Sequence, residues 1–107
     1  MSAENPDVIP VERPFVRGDS LFGYDKALEL NGEIIGITGE RGELRKGMEV
    51  GIVGNSMGYV PSGHKPGEMV TITGFVEPFQ DGASDHIITV SGGGITGRVK
   101  PSNIKLI

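Results

Sequence analysis

From Gly32 to its end the chain alternates apolar and polar positions in short bursts, each closed by glycine or proline. A period of two places alternate side chains on opposite faces of a strand. Glu33–Gly39 (EIIGITG), Met48–Gly54 (MEVGIVG), Met69–Glu77 (MVTITGFVE), Asp85–Ser91 (DHIITVS) and Ile95–Lys100 therefore read as strands. Asn31-Gly32 is a strong hairpin-turn dipeptide and predicts a hairpin from about Ala27 to Ile37. Glu40–Gly42 and Gly92–Gly94 read as turns, and Pro78–Ser84 as a polar loop. Residues 55–67 read as a loop or short edge strand around Tyr59 and Val60, punctuated by Pro61, Gly63, Pro66 and Gly67. Pro101–Ile104 predicts one tight or 3-10 turn before a last short strand over 105–107. No stretch of ten residues has helical periodicity. The expected inner face is Ile35, Ile37, Val50, Ile52, Val70, Ile72, Ile88, Val90 and Val99, with Ile34 competing for the place of Ile35. Five to seven short strands punctuated in this way predict one all-β domain over residues 15–107, a small barrel or sandwich.

The N-terminal segment breaks the pattern. Pro6, Pro10 and Pro14 preclude a helix over residues 1–14 and predict an extended, proline-rich arm without regular secondary structure of its own. Ile9, Pro10, Val11, Phe15 and Val16 give the arm apolar surface to bury on a partner chain.

Composition narrows the chemistry. The 107 residues fit one domain. With no tryptophan, four phenylalanines and two tyrosines, the core rests on aliphatic side chains, mostly β-branched, which suit pleated sheets. Eighteen glycines serve turns and kinks; a recurring Ile-Thr-Gly or Ile-Val-Gly step at 37–39, 52–54, 72–74 and 95–97 has unequal spacing and marks bends rather than a solenoid repeat. The absence of cysteine excludes disulfides, thiolate catalysis and cysteine-type zinc sites. It fits a reducing compartment. No signal peptide or membrane-spanning run is visible, so a cytoplasmic or virion location is expected. A net charge of −4 argues against a phosphate-backbone binder.

Two resemblances attach to these segments. His64–Ile107 resembles the C-terminal part of an SH3-like barrel, with HKPGEMVTITG as its diverging-turn strand and DHIITVSGGGITGRVKPSNIKLI as its distal hairpin, turn and last strand. Gly97, Pro101, Ser102 and Asn103 carry it. SH3 domains hold proline-rich peptides in a groove of tyrosine and tryptophan. Here Asp85-His86-Ile87 brings no tryptophan, and Ile104 stands where that family places a tyrosine. The resemblance thus implies the fold without the polyproline site. Asn31–Gly54 is similar to the opening hairpin of the second domain of translation GTPases, through Gly32, Gly39, Arg41, Gly42, Gly47 and Gly54. The two compete for the segment around Met69, and both imply a small β-barrel.

Several motifs dissolve on inspection. Gly92, Gly94 and Gly97 satisfy G-x-G-x-x-G, but Pro101 follows at once and no βαβ unit remains to hold a nucleotide. Arg17-Gly18-Asp19 is a tripeptide common by chance. His64 and His86 are the only histidines, too few for a metal set, and both read as surface residues. Asp85 and His86, as strand neighbours, should point to opposite faces, which excludes a Ser84-Asp85-His86 triad. Arg41, Arg45 and Lys46 share one expected hairpin loop with Glu40, Glu43 and Glu49, and read as a solvated mixed face. Under the alternative reading they would contact phosphates.

The sequence thus predicts a non-enzymatic, cofactor-free protein-binding or assembly subunit, of the kind found among viral or phage accessory structural proteins. Its expected partners are other protein chains, in a homo- or hetero-oligomer, with neither membrane nor nucleic acid. The alternatives are a nucleic-acid- or ribosome-associated barrel and a small inhibitor or adaptor of another protein.

Overall fold

The computed structural model describes residues 9–16, 18, 20–55, 57–78 and 85–106. Its strands are β1 (Val11–Pro14), β2 (Tyr24–Leu30), β3 (Glu33–Gly39), β4 (Gly42–Arg45), β5 (Glu49–Ile52), β6 (Met69–Phe75), β7 (Ile88–Gly92), β8 (Ile95–Val99) and β9 (Ile104–Lys105). One 3-10 turn, Pro101–Asn103, separates the last two. Asn31 and Gly32 take positive φ, 54° and 81°, and close the β2–β3 hairpin that their residue types require. A second two-residue turn was not legible. Phe22 and Gly23 also take positive φ, and Leu21 and Tyr24 exchange both backbone hydrogen bonds around them. The two strands beyond the expected seven are β1, inside the arm, and β4, inside what read as a loop.

The domain is all-β, as read. Its strands pair antiparallel in two sheets, ordered β1-β2-β3-β4 and β8-β7-β6-β5-β9. The chain crosses between them at consecutive amides. The Lys46 N–H donates to the Ile35 carbonyl at 2.9 Å in the first sheet, and the Gly47 N–H to the Ile72 carbonyl at 2.7 Å in the second. Both sheets bury residues in one core. Ile37 and Leu44 come from the first, and Val50, Ile52, Val70, Ile72, Ile88, Val90 and Val99 from the second.

Ile35 is the exception among the expected core positions. It is only half-buried, as is Ile34, because β2 and β3 shift register between Leu28 and Glu29. A further shift between Ile72 and Gly74 advances the phase of β6, so that Phe75 takes the inner face and Val76 is left half-buried. Simple alternation cannot see a bulge.

The arm requires a larger correction. Val11–Pro14 is not free of secondary structure: it pairs with β2, Val11 opposite Glu29 and Pro14 opposite Lys26. Beyond it Phe15 is 3% exposed and belongs to this chain's own core. Arg13 ties the strand down, donating from Nη2 to Glu77 at 2.8 Å and from Nε to Glu29 at 3.3 Å. Glu77 also accepts the Val16 N–H at 2.7 Å, which joins the first sheet to the segment leaving β6. The Glu77 hydrogen bond, opposed by burial, holds the Arg13 guanidinium above its usual pKa. The prolines make sense at this sheet edge. The Phe15 N–H points inward to the Asp25 carbonyl, so by alternation Pro14 faces outward, where an N–H would have no partner. Arg13 Nη1 covers the outward Pro14 carbonyl at 3.1 Å. Edges blunted in this way resist further strand addition. Removing residues 1–14 is therefore expected to destabilise the domain by about 1–2 kcal/mol, at roughly 4–8 °C of thermal midpoint per kcal/mol for a chain of this size. An unchanged midpoint in calorimetry would show that β1 contributes nothing.

Candidate protein-binding site

An irregular segment runs from Val53 to Glu68, between β5 and β6. Its start is fixed by the 3-10 turn. Asn103 is buried; its Nδ2–H donates to the Val53 carbonyl at 2.8 Å, and its own carbonyl accepts the Val53 N–H at 2.8 Å. Its Oδ1 accepts the Lys100 N–H at 3.2 Å.

His64 fixes the middle. It is 3% exposed, not the surface residue that its isolation in the sequence implied. Its Nε2 lies 3.0 Å from the Gly92 carbonyl and 3.1 Å from that of Ile95. Carbonyls only accept, so Nε2 carries the hydrogen. Nδ1 lies 2.6 Å from Ser62 Oγ. Nε2 clips the loop to the β7–β8 hairpin, and Nδ1 is held by Ser62 within the loop. At Gly97 a side chain would stand 2.9 Å from Ser62 Cα, so the loop lies directly on β8. The Ser62–His64 pair is a structural clip. Gly92 and Gly94 sit in that hairpin, which explains the glycine pattern without a nucleotide.

Between these anchors the loop builds a tip. Asn55 Oδ1 accepts the Met57 N–H at 2.8 Å and the Tyr59 N–H at 2.9 Å. The Asn55 N–H donates to the Tyr59 carbonyl at 3.0 Å, and the Gly58 N–H to the Asn55 carbonyl at 2.8 Å. Gly58 supplies the positive φ, 79°, that closes the turn. The tip thus fixed holds Met57 90% exposed and Tyr59 62% exposed. Beside it lies a cleft of about 270 Å³ that includes Tyr59, Pro61, His86, Lys100 and Ser102 in its lining. Asp85 flanks the polar side, with Oδ1 3.6 Å from His86 Nδ1 and Oδ2 3.8 Å from Lys100 Nζ. Asp85 and His86 precede β7 rather than lying in it, so the opposite-face argument fails and their side chains approach. A tyrosine ring and a proline ring beside paired charges suit an extended peptide.

The residues singled out from the sequence are dispersed. Ile9, Val11 and Val16 are exposed along β1, Pro10 is half-buried, and Phe15 is inside. Arg41, Arg45 and Lys46 do not share one loop, because Arg41 precedes β4, Arg45 is its last residue and Lys46 follows it. Arg45 pairs with Glu43, and Lys46 with Glu33. Replacing all three by serine is expected to change stability by less than about 0.5 kcal/mol per site, since exposed pairs contribute little. Titration against RNA and duplex DNA at two salt concentrations provides the functional readout; no binding to lose is the expected result. Arg17, Asp19 and Ser84 lie outside the described residues, so the tripeptide and triad motifs that include them have no complete geometry. Among the described residues no group of three or more histidine, aspartate or glutamate side chains is placed to hold a metal, and no helix is long and apolar enough to cross a membrane.

Asn55 and Met57 went unread, Tyr59 was named only as the centre of a loop or short edge strand, and His64 was read as a surface residue. An asparagine with a glycine three residues on is a turn signal, but only the folded chain shows that the turn presents apolar side chains. No family model, curated protein or solved structure matches the chain.

Proposed function

We propose that this chain is a non-enzymatic protein-binding domain, a subunit that docks another protein chain on the Met57–Tyr59 tip and the adjoining cleft. The observation that carries this reading is the tip itself. Burying a methionine or a comparable apolar side chain stabilises a fold by about 1.5–3 kcal/mol, and this loop instead holds one outward on a built scaffold. Methionine and tyrosine are enriched in interface cores, and a preformed tip reduces the ordering cost of binding. The exposed Ile9, Val11 and Val16 offer a second apolar strip by side-chain packing, since the blunted edge of β1 disfavours strand addition. An accessory structural subunit of a virion or similar particle is the setting that fits two such surfaces on a small acidic domain.

The second sheet reads best as an SH3-like barrel. Its order, β8-β7-β6-β5-β9, supports this, as does the 3-10 turn that returns the last strand beside β5. The segment resembling translation GTPases divides between the two sheets, which counts against that topology. The pairing of Arg45 and Lys46 with glutamates likewise disfavours the nucleic-acid reading.

Light scattering after size exclusion tests the assembly form of the proposal. Mass above that of the 11.3 kDa monomer, lost in Met57→Ser/Tyr59→Ser, is the expected result for self-assembly. A complex with nucleic acid that weakens with salt would replace the proposal with the nucleic-acid reading.

A further inference from the structure

Outside the tip, the cations of the described chain divide into two sets. Arg13, Lys26, Arg45, Lys46 and Lys100 each lie within 4 Å of a carboxylate. Arg41, Lys65, Arg98 and Lys105 make no salt bridge among the described residues. Of these, Arg41 and Lys105 come from different sheets and line a single cleft of about 310 Å³. In a chain of net charge −4, two cations that line one concave surface and make no salt bridge among the described residues form a local positive site.

The site is organised. The Arg41 stem lies across Gly23, where even a Cβ would come within 2.2 Å of Arg41 Cγ, and the Arg41 N–H reaches the Gly23 carbonyl at 3.4 Å. That packing directs the guanidinium. Tyr24 lines the same cleft, and its hydroxyl makes no hydrogen bond among the described residues. Burial raises the Tyr24 phenol above its ordinary pKa, with the nearby Arg41 charge opposing, so the group is a protonated donor at neutral pH. Ser102 adds a hydroxyl. The remaining lining includes Val53, Ile104 and Leu106, and Lys105 belongs to β9, an edge strand paired only with β5.

We propose that this inter-sheet cleft is a receptor for an acidic, apolar-flanked segment of a partner protein, its carboxylate held by Arg41 and Lys105 and its neighbouring aliphatic side chain seated on Val53 and Leu106. A free phosphate would use the cations and leave the apolar wall idle. A peptide alternating aspartate with an aliphatic residue uses both, and its extended backbone matches the edge of β9. The inference does not depend on the Met57–Tyr59 tip.

The test is titration of the full chain, followed by amide and arginine side-chain NMR shifts. The probes are a short capped peptide in which aspartate alternates with leucine, its asparagine counterpart, inorganic phosphate and a short oligothymidine. Saturable shifts at Tyr24, Arg41, Ser102 and Lys105 with the aspartate peptide are expected, together with weaker binding of the asparagine peptide. Arg41→Gln, which keeps the stem on Gly23, and Lys105→Gln should each weaken binding about fivefold or more. Lys65→Gln and Arg98→Gln, with the same change of net charge, should leave it unaltered. Equal weakening in all four variants, shifts elsewhere, tighter binding of phosphate or oligothymidine, or no binding of the aspartate peptide would overturn the assignment. Native amide spectra of each variant confirm that folding is not the cause.

Discussion

Ile72→Ala is expected to lower the free energy of unfolding by about 2–5 kcal/mol, a large share of the stability of a domain this size. The side chain is fully buried at the centre of β6, opposite Val90. The same residue is the hinge between the sheets: its N–H donates to the Met48 carbonyl at 2.8 Å, and its carbonyl accepts the Gly47 N–H where the chain crosses over. A cavity there is bounded by strands that cannot collapse into it without breaking those bonds. Urea unfolding measures the loss. Met69→Ala, at an exposed position on the same strand, should shift the midpoint by less than about 0.5 kcal/mol. Comparable losses in the two variants would mean that the phase of β6 is wrong.

His64→Leu should be the most costly change outside the apolar core. Leucine keeps much of the volume and removes the donor to Gly92 and Ile95 and the hydrogen-bond partner of Ser62. Carbonyls stripped of a donor in a buried setting cost about 1–3 kcal/mol. The loop would also lose the attachment that lies between its tip and β6. Amide exchange should then accelerate from Asn55 to Gly63 while β3 and β7 stay protected. Unchanged stability and unchanged loop exchange would show that water replaces the histidine without loss, and that the loop is held by its other contacts.

The strands from β5 onward were legible because each runs between glycine-marked turns and, apart from the shift in β6, largely keeps its phase; eight of the nine expected core residues are buried there or in β3. The residues before the Ala27–Ile37 hairpin were not. Phe22 takes positive φ, which its residue type conceals, and Tyr24 and Ala27 reach the core through a strand that shifts register twice against β3. In the arm, Pro14, one of the prolines that argued against secondary structure, sits where an edge strand tolerates it. The candidate site was the least legible part, for a physical reason. Whether an exposed-looking Met-Gly-Tyr is frayed or displayed depends on Asn55 and on contacts made across the fold by His64 and Asn103, none of which has a periodic signature.

The central claim is that the Met57–Tyr59 tip meets a protein partner, and photo-crosslinking tests it most directly. With Met57→benzoylphenylalanine in the full chain, expressed in the cells that normally make it, irradiation should give a discrete protein adduct heavier than the 11.3 kDa monomer. The adduct should disappear when Tyr59→Ser is added, and should not form from the same photoreactive group at Lys65. An adduct formed equally from both positions, one made of nucleic acid, or none at all would contradict the account.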